Sequence, residues 1–174
     1  EEYTGQLEAF GQSILSGGAV ENSFRSAADT DYTIEIANWD ADQPALREVR
    51  ETVFILEQNC VYLDADGYDE FSWHLAAWSP LHEVPLAYAR LVDPGHKYAE
   101  PSIGRVITTA RGRGSGLGRE LLRRMLVEVD RLYPEQGVRI SAQSHLQPYY
   151  GAQGFVAIGE DYLEDGIPHR EMLR

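Results

Sequence analysis

Apolar and polar residues alternate along "YTIEIANW", residues 32–39, and the stretches "FSWHLAAW", "PLAYARLV" and "IGRVITT" that follow share its apolar and β-branched character. A two-residue period sends successive side chains to opposite faces, so these stretches predict strands. Between the first two, Asp42 is placed to cap a helix over about residues 43–58, with Pro44 in its first turn. From residue 117 the period changes. Leu117, Leu121, Leu122, Met125 and Val129 fall on one face of a helix that ends at Tyr133-Pro134. "VRISAQ" predicts a further strand, "LQPYYGAQ" a short helix closed by Gly154, and "FVAIGE" and "PHREML" two terminal strands. The order β-α-β-β-β-α-β-α-β-β implies a mixed sheet with helices packed on it.

The first residues differ. "LEAFGQSIL" suits a short helix that "SGGAVENS" breaks, so residues 1–31 read as an extension and 32–174 as one domain. At 174 residues the chain can bury a core without staples. Cys60 is its only cysteine, which excludes an internal disulfide and fits a reduced, cytoplasmic setting. No apolar run reaches the length of a membrane span.

A net charge of −13 argues against a nucleic-acid partner, because neutralising phosphates takes a basic face. The charge is uneven, however. Six arginines and one glutamate lie between Ile103 and Arg124. Arg123 and Arg124 read as a paired, solvated helix face, and Arg111 and Arg113 as part of a local anion site.

Those two arginines border "GRGSGLG", with glycine at 112, 114, 116 and 118. A strand passing through such a loop into a helix offers free N–H groups and a positive dipole end to a phosphate or pyrophosphate. The run ends "GLGRE", without the Gly-Lys-Ser/Thr of a Walker A loop, and no register gives G-x-G-x-x-G. What remains, Arg113-Gly114-Ser115-Gly116-Leu117-Gly118, resembles the R/Q-x-x-G-x-G/A signature of the GNAT superfamily of N-acetyltransferases. About thirty residues later "PYYGAQGF" resembles that superfamily's "FYxxxGF" segment. The segments "VFILEQNC", "DADG", "AYARL", "IGRVI", "AQSHLQPYY" and "EDGIPHREM" are together similar to its ElaA-like branch.

The resemblance implies an α/β (α+β) acyl-CoA N-acyltransferase fold, with a mixed central sheet of about six to seven strands and helices on both faces. It implies a ternary complex in which an amine attacks the thioester of acetyl-CoA directly. Backbone N–H groups from Arg113 through Gly114, Ser115, Gly116, Leu117 and Gly118 to Arg119 would cradle the pyrophosphate. The strand edge at Ile107 and Thr109 would pair with pantetheine amides, with Thr108 between them also at the cofactor, and a backbone N–H near Ile107 would polarise the carbonyl. Gln143 stands where many members carry asparagine. Tyr150 aligns with the tyrosine general acid, since a phenol of pKa ~10 is protonated at neutral pH; Tyr149 reads as its packing neighbour.

An alkylamine of pKa ~10.4 is neutral in only about 0.04% of molecules at pH 7, so a base is useful. Glu57 and His145 are the two candidates. His74 reads as packed, His82 and His96 as turn residues, and His169 as a residue of the acceptor end or a structural hydrogen-bonding group. No histidine pair has metal-ligand spacing, so no metal is expected. Asp64, Asp66, Asp69 and Glu70 lack the twelve-residue calcium pattern and read as a solvated loop that attracts a cationic acceptor. That acceptor is a primary amine, of a small polyamine-like molecule or of a peptide lysine or N-terminus; a homodimer is left open. The alternative is an acyl-CoA-binding module without turnover.

Overall fold

The structure, a computed structural model, describes residues 23–25, 31–38, 44–51, 66–80, 85–110 and 112–174. Glu57 and Arg111 lie outside them, as do Asp42, Cys60, Asp64, His82, the far end of the first predicted helix and residues 1–22. The elements are β1 (Ser23–Arg25), β2 (Asp31–Asn38), α1 (Pro44–Glu51), β3 (Ser72–Trp78), β4 (Ala87–Val92), β5 (Ser102–Thr108), α2 (Leu117–Leu132), β6 (Arg139–Gln143), α3 (Gln147–Gly151), β7 (Val156–Glu164) and β8 (Ile167–Leu173). The strands form one sheet in the order β1-β2-β3-β4-β5-β6-β8-β7. From Asp31 onward there are seven, the upper figure expected. The short β1, from the stretch read as an extension, pairs antiparallel with β2.

Helices cover both faces. On one, Leu117, Leu121, Leu122, Met125 and Val129 of α2 pack with Ile34, Ile36, Leu75 and Leu91. Each such burial contributes roughly 1.5–3 kcal/mol, so this face alone gathers on the order of 10 kcal/mol. On the other, Ala45, Leu46 and Val49 of α1 meet Ala76, Trp78, Tyr88 and Ile107. All of β4 is buried, because it lies between the two layers.

Two irregularities position the site. Every neighbouring pair in the sheet is antiparallel except β5 and β6, which run parallel and are in register at Ser102 and Arg139 alone. Beyond that pair the strands part and open a wedge. In addition, Tyr88 faces Ile107 while Arg90 faces Gly104, so Ala89 stands opposite both Arg105 and Val106. This is a β-bulge on the wedge's edge, and Arg105 holds φ = 52° within it. A non-glycine residue in that region costs on the order of 1–3 kcal/mol and persists only where surrounding contacts enforce it.

Candidate active site

The wedge holds a cavity of about 220 Å³. Gly104, Arg105 and Val106 of the bulge form one wall, and Ile140 to Gln143 of β6 form the other. Leu146 lines it from the turn before α3 and Tyr150 from α3, Glu164, Asp165 and His169 from the β7–β8 hairpin, and Lys97 from the β4–β5 connection.

At the open end β5 runs into the glycine loop. Thr109 O accepts from the N–H groups of Gly112 and Arg113, both at 3.0 Å, folding the chain back on itself. Ser115 Oγ donates to Gly112 O (2.6 Å) and accepts from Leu117 N (3.3 Å), tying the turn to the helix start. The four glycines divide into two kinds. A Cβ on Gly112 would stand 2.9 Å from Leu86 O, and one on Gly118 2.7 Å from Thr108 Oγ1, so these two serve close packing. Gly114 (φ = 77°) and Gly116 (φ = 82°) make the left-handed turn that starts α2, and a Cβ on either would meet open space. The N–H groups of Gly118 and Arg119 precede the first intrahelical bond, Glu120 N to Gly116 O, and face out of the helix end. Both are suited to an anion that approaches over bare backbone.

Strand parity moves one expectation by a residue. Thr109 spends its N–H on Leu86 O (2.9 Å), on the β4 side, so Ile107 points the same way and Thr108 presents its N–H and carbonyl to the wedge. Arg113 Nε donates to that Thr108 carbonyl at 3.0 Å. Ile107 is buried against α1. Arg123 and Arg124 pair with Glu120, the helix-face reading made of them.

Tyr150 packs edge-to-face against Tyr149 (5.2 Å between ring centroids) and Phe155 (5.9 Å). Burial pushes its phenol up to about 12. His145 is exposed in the turn Ser144–Leu146. The cavity wall runs from Gln143 to Leu146 without it. His169, in contrast, is buried on β8 opposite Gln143. Its Nδ1 lies 2.7 Å from Ile167 O, which only accepts, so Nδ1 carries a hydrogen. Nε2 is thereby left to face Glu164 Oε2 at 3.2 Å.

The acidic run before β3 is not the solvated loop expected for Asp66 and Asp69. Arg50 grips Asp69 with two bonds of 2.8 and 3.0 Å, and Arg90 grips Asp66 with two of 2.7 and 2.8 Å. Arg90 also reaches Asp69 (3.1 Å), and Arg105 reaches Asp66 (3.2 Å). Burial alone would raise Asp66, but the bonds and charge of Arg90, with Tyr68 N–H and Arg105, hold it at about 2. Two buried guanidiniums require these carboxylates, and the pull on Arg105 tethers the strained bulge. His74, packed as expected, sits behind the network between Tyr88 Oη and Asp69 O, and burial lowers it to about 4. Sequence reasoning missed Arg90 and Lys97; the signal for Arg90 was a cation inside the otherwise apolar strand "AYARLV".

Among the described residues, no cluster of His, Cys, Asp or Glu could hold a metal ion, and no helix is long and apolar enough to cross a membrane. A family profile described as acetyltransferase (GNAT) domain matches residues 86–173. A UPF0039 protein of Synechocystis is 43% identical over 125 residues, covering 72% of this chain and 80% of that protein. The crystal structure of an acyl-CoA N-acyltransferase from Pseudomonas aeruginosa superimposes with a TM-score of 0.75 at 43% identity, over 83% of this chain and 99% of that one. That of Escherichia coli ElaA does so with the same TM-score at 34% identity, over 82% and 99%. The bulged, parted sheet and its glycine loop are thus those of an acyltransferase, and the chain belongs to the GNAT acetyltransferase family, among relatives named ElaA and UPF0039.

Proposed function

We propose that the protein transfers an acetyl group from acetyl-CoA to a cationic primary amine inside the wedge. The observation that carries this reading is the parting of β5 and β6 after a single paired position, with the glycine loop at its mouth and Tyr150 on its wall. The N–H groups from Gly114 to Arg119 hold the pyrophosphate, with Arg111, Arg113 and Arg119 supplying charge. Thr108 offers its N–H to the pantetheine arm, and a backbone N–H of the bulge that lines the wedge polarises the thioester carbonyl. One such donor contributes ~10²–10³ in rate.

Tyr150 acts on the departing sulfur. With its phenol at about 12 against ~8.5 for a thiol, complete transfer would run uphill by roughly 5 kcal/mol. A hydrogen bond to the developing thiolate has no such cost, so Tyr150 stabilises sulfur by donating while remaining a phenol. For the amine's proton, the His169–Glu164 pair is the group that the cavity wall favours over exposed His145; Glu57 keeps its candidacy from sequence. Glu164 and Asp165 on the hairpin give the acceptor end its negative charge, the part first assigned to the loop before β3.

Titration calorimetry with acetyl-CoA, against CoA, NADH and ATP, tests the site. Selective binding of CoA species is expected, followed by amine-dependent thiol release. No binding of any CoA species would overturn the reading.

A further inference from the structure

We propose that Lys97 is a self-acetylation site, its Nζ attacking the thioester of an acyl-CoA held in the wedge. The inference rests on the reading above that acyl-CoA occupies that cavity. The chain carries fourteen arginines and one lysine, so Lys97 is its only side-chain primary amine. It stands on the cavity wall with Tyr150 and the Arg105–Val106 bulge, the same groups proposed to act on the thioester.

The connection that bears it is well anchored. Gly95 N donates to Tyr98 O at 2.7 Å, Asp93 N donates to Phe71 O at 2.8 Å, and His96 stacks on Phe71 with 4.2 Å between rings. Lys97 Nζ lies 5.7 Å from the Tyr98 ring centroid, and Arg139 covers the same ring at 5.3 Å. Among the described residues no carboxylate stands within ion-pair distance of Nζ. Burial is the largest influence on the amine and favours its neutral, nucleophilic form; Arg90 on β4 and Arg105 on β5 push the same way. Glu164 on β7 and Asp66 before β3 oppose them, and the outcome is a lowered pKa.

The step balances within the two partners. The Nζ–acyl bond forms, the thioester C–S bond breaks, and CoA leaves as the thiol with the proton that the amine gives up. The product is a neutral amide, which removes one positive charge from the wall a cationic acceptor must approach.

The test is incubation of the purified full chain with acetyl-CoA, followed by intact mass and by peptide mapping that separates Lys97 from the N-terminal amine. One acetyl group is expected at Lys97, with a first-order rate constant independent of protein concentration. That rate should exceed that of the urea-unfolded chain by about tenfold or more, and excess CoA should suppress it. Lys97→Arg, which keeps the charge, should lose the single equivalent of thiol released without acceptor. Modification no faster than in the unfolded chain, or insensitive to CoA, overturns the inference even where calorimetry shows acetyl-CoA binding. Absence of binding removes the wedge reading itself and this inference with it.

Discussion

Glu35→Gln should gain stability relative to the wild type as pH rises from about 4.5 to about 7, because Glu35 is a carboxylate buried without adequate solvation. Strand alternation turns Ile34 and Ile36 toward α2 and sends Glu35 to the α1 side, beside Ala76. The residue is 8% exposed, its Oε2 has no hydrogen-bond partner, and burial raises its pKa from 4.5 to about 7. Between those values the folded chain holds a proton that the unfolded chain has released, so stability falls as pH rises. The contribution is fully present below 4.5 and lost above about 7. Evaluated between about pH 5 and about pH 8, it amounts to about 2.5 kcal/mol. The variant would carry a fixed cost for burying its side-chain amide, which cancels in the difference between the two pH values. Urea denaturation of both proteins at each pH supplies that difference, and Tm should move by roughly 5–10 °C in parallel. A wild-type-minus-variant gap that stays constant from acid to alkali would refute the reasoning. Turnover should change little, since β3 and β4 separate Glu35 from the wedge.

Tyr150→Phe should lower turnover by roughly 10- to 1,000-fold with CoA affinity nearly unchanged, measured by thiol release and calorimetry. Unchanged turnover would remove the phenol from the mechanism. Gly116→Val should abolish CoA binding, because its side chain would fill the open space over the turn and force a branched residue to φ = 82°. Retained affinity would displace the pyrophosphate from this loop. Arg50→Ala should cost about 3 kcal/mol by stripping Asp69 of its two-bond partner, seen as a lower urea midpoint. A loss under about 1 kcal/mol would show that Arg90 alone neutralises that carboxylate.

Local order was legible where side-chain period and backbone chemistry agree. The period change at residue 117 marked α2, and the glycine spacing marked the turn, though not that Gly112 and Gly118 serve packing while Gly114 and Gly116 serve conformation. The acidic run was misread because a lone sequence shows a carboxylate's charge and not its partner. Asp66 and Asp69 are satisfied by Arg90 and Arg50, distant in the chain, and only the sheet brings them together. The bulge was equally hidden, since Arg105 lies in a stretch whose composition suits an unbroken strand. His169 could be flagged but not placed until β8 paired with β6, opposite Gln143.

The parted sheet carries its own argument for an extended, amide-bearing ligand. Two parallel strands joined at one end would ordinarily continue to pair, each further bond contributing roughly 0.5–1.5 kcal/mol net. Here β5 cannot follow β6, because its bulge shifts the register and Arg105 is drawn toward Asp66, on the side of Arg90. The forgone pairing leaves Thr108 presenting an N–H across a gap that Arg113 meets only at the carbonyl. Water can satisfy such an edge, but a chain with its own amides satisfies it in register and excludes water as it does so. The ion network, whose Arg90 and Arg105 also line the cavity, is on this view what keeps the gap from closing. If so, Asp66→Asn should raise the KM for acetyl-CoA more than it lowers kcat, and a fall in kcat with KM unchanged would assign the network to global stability alone.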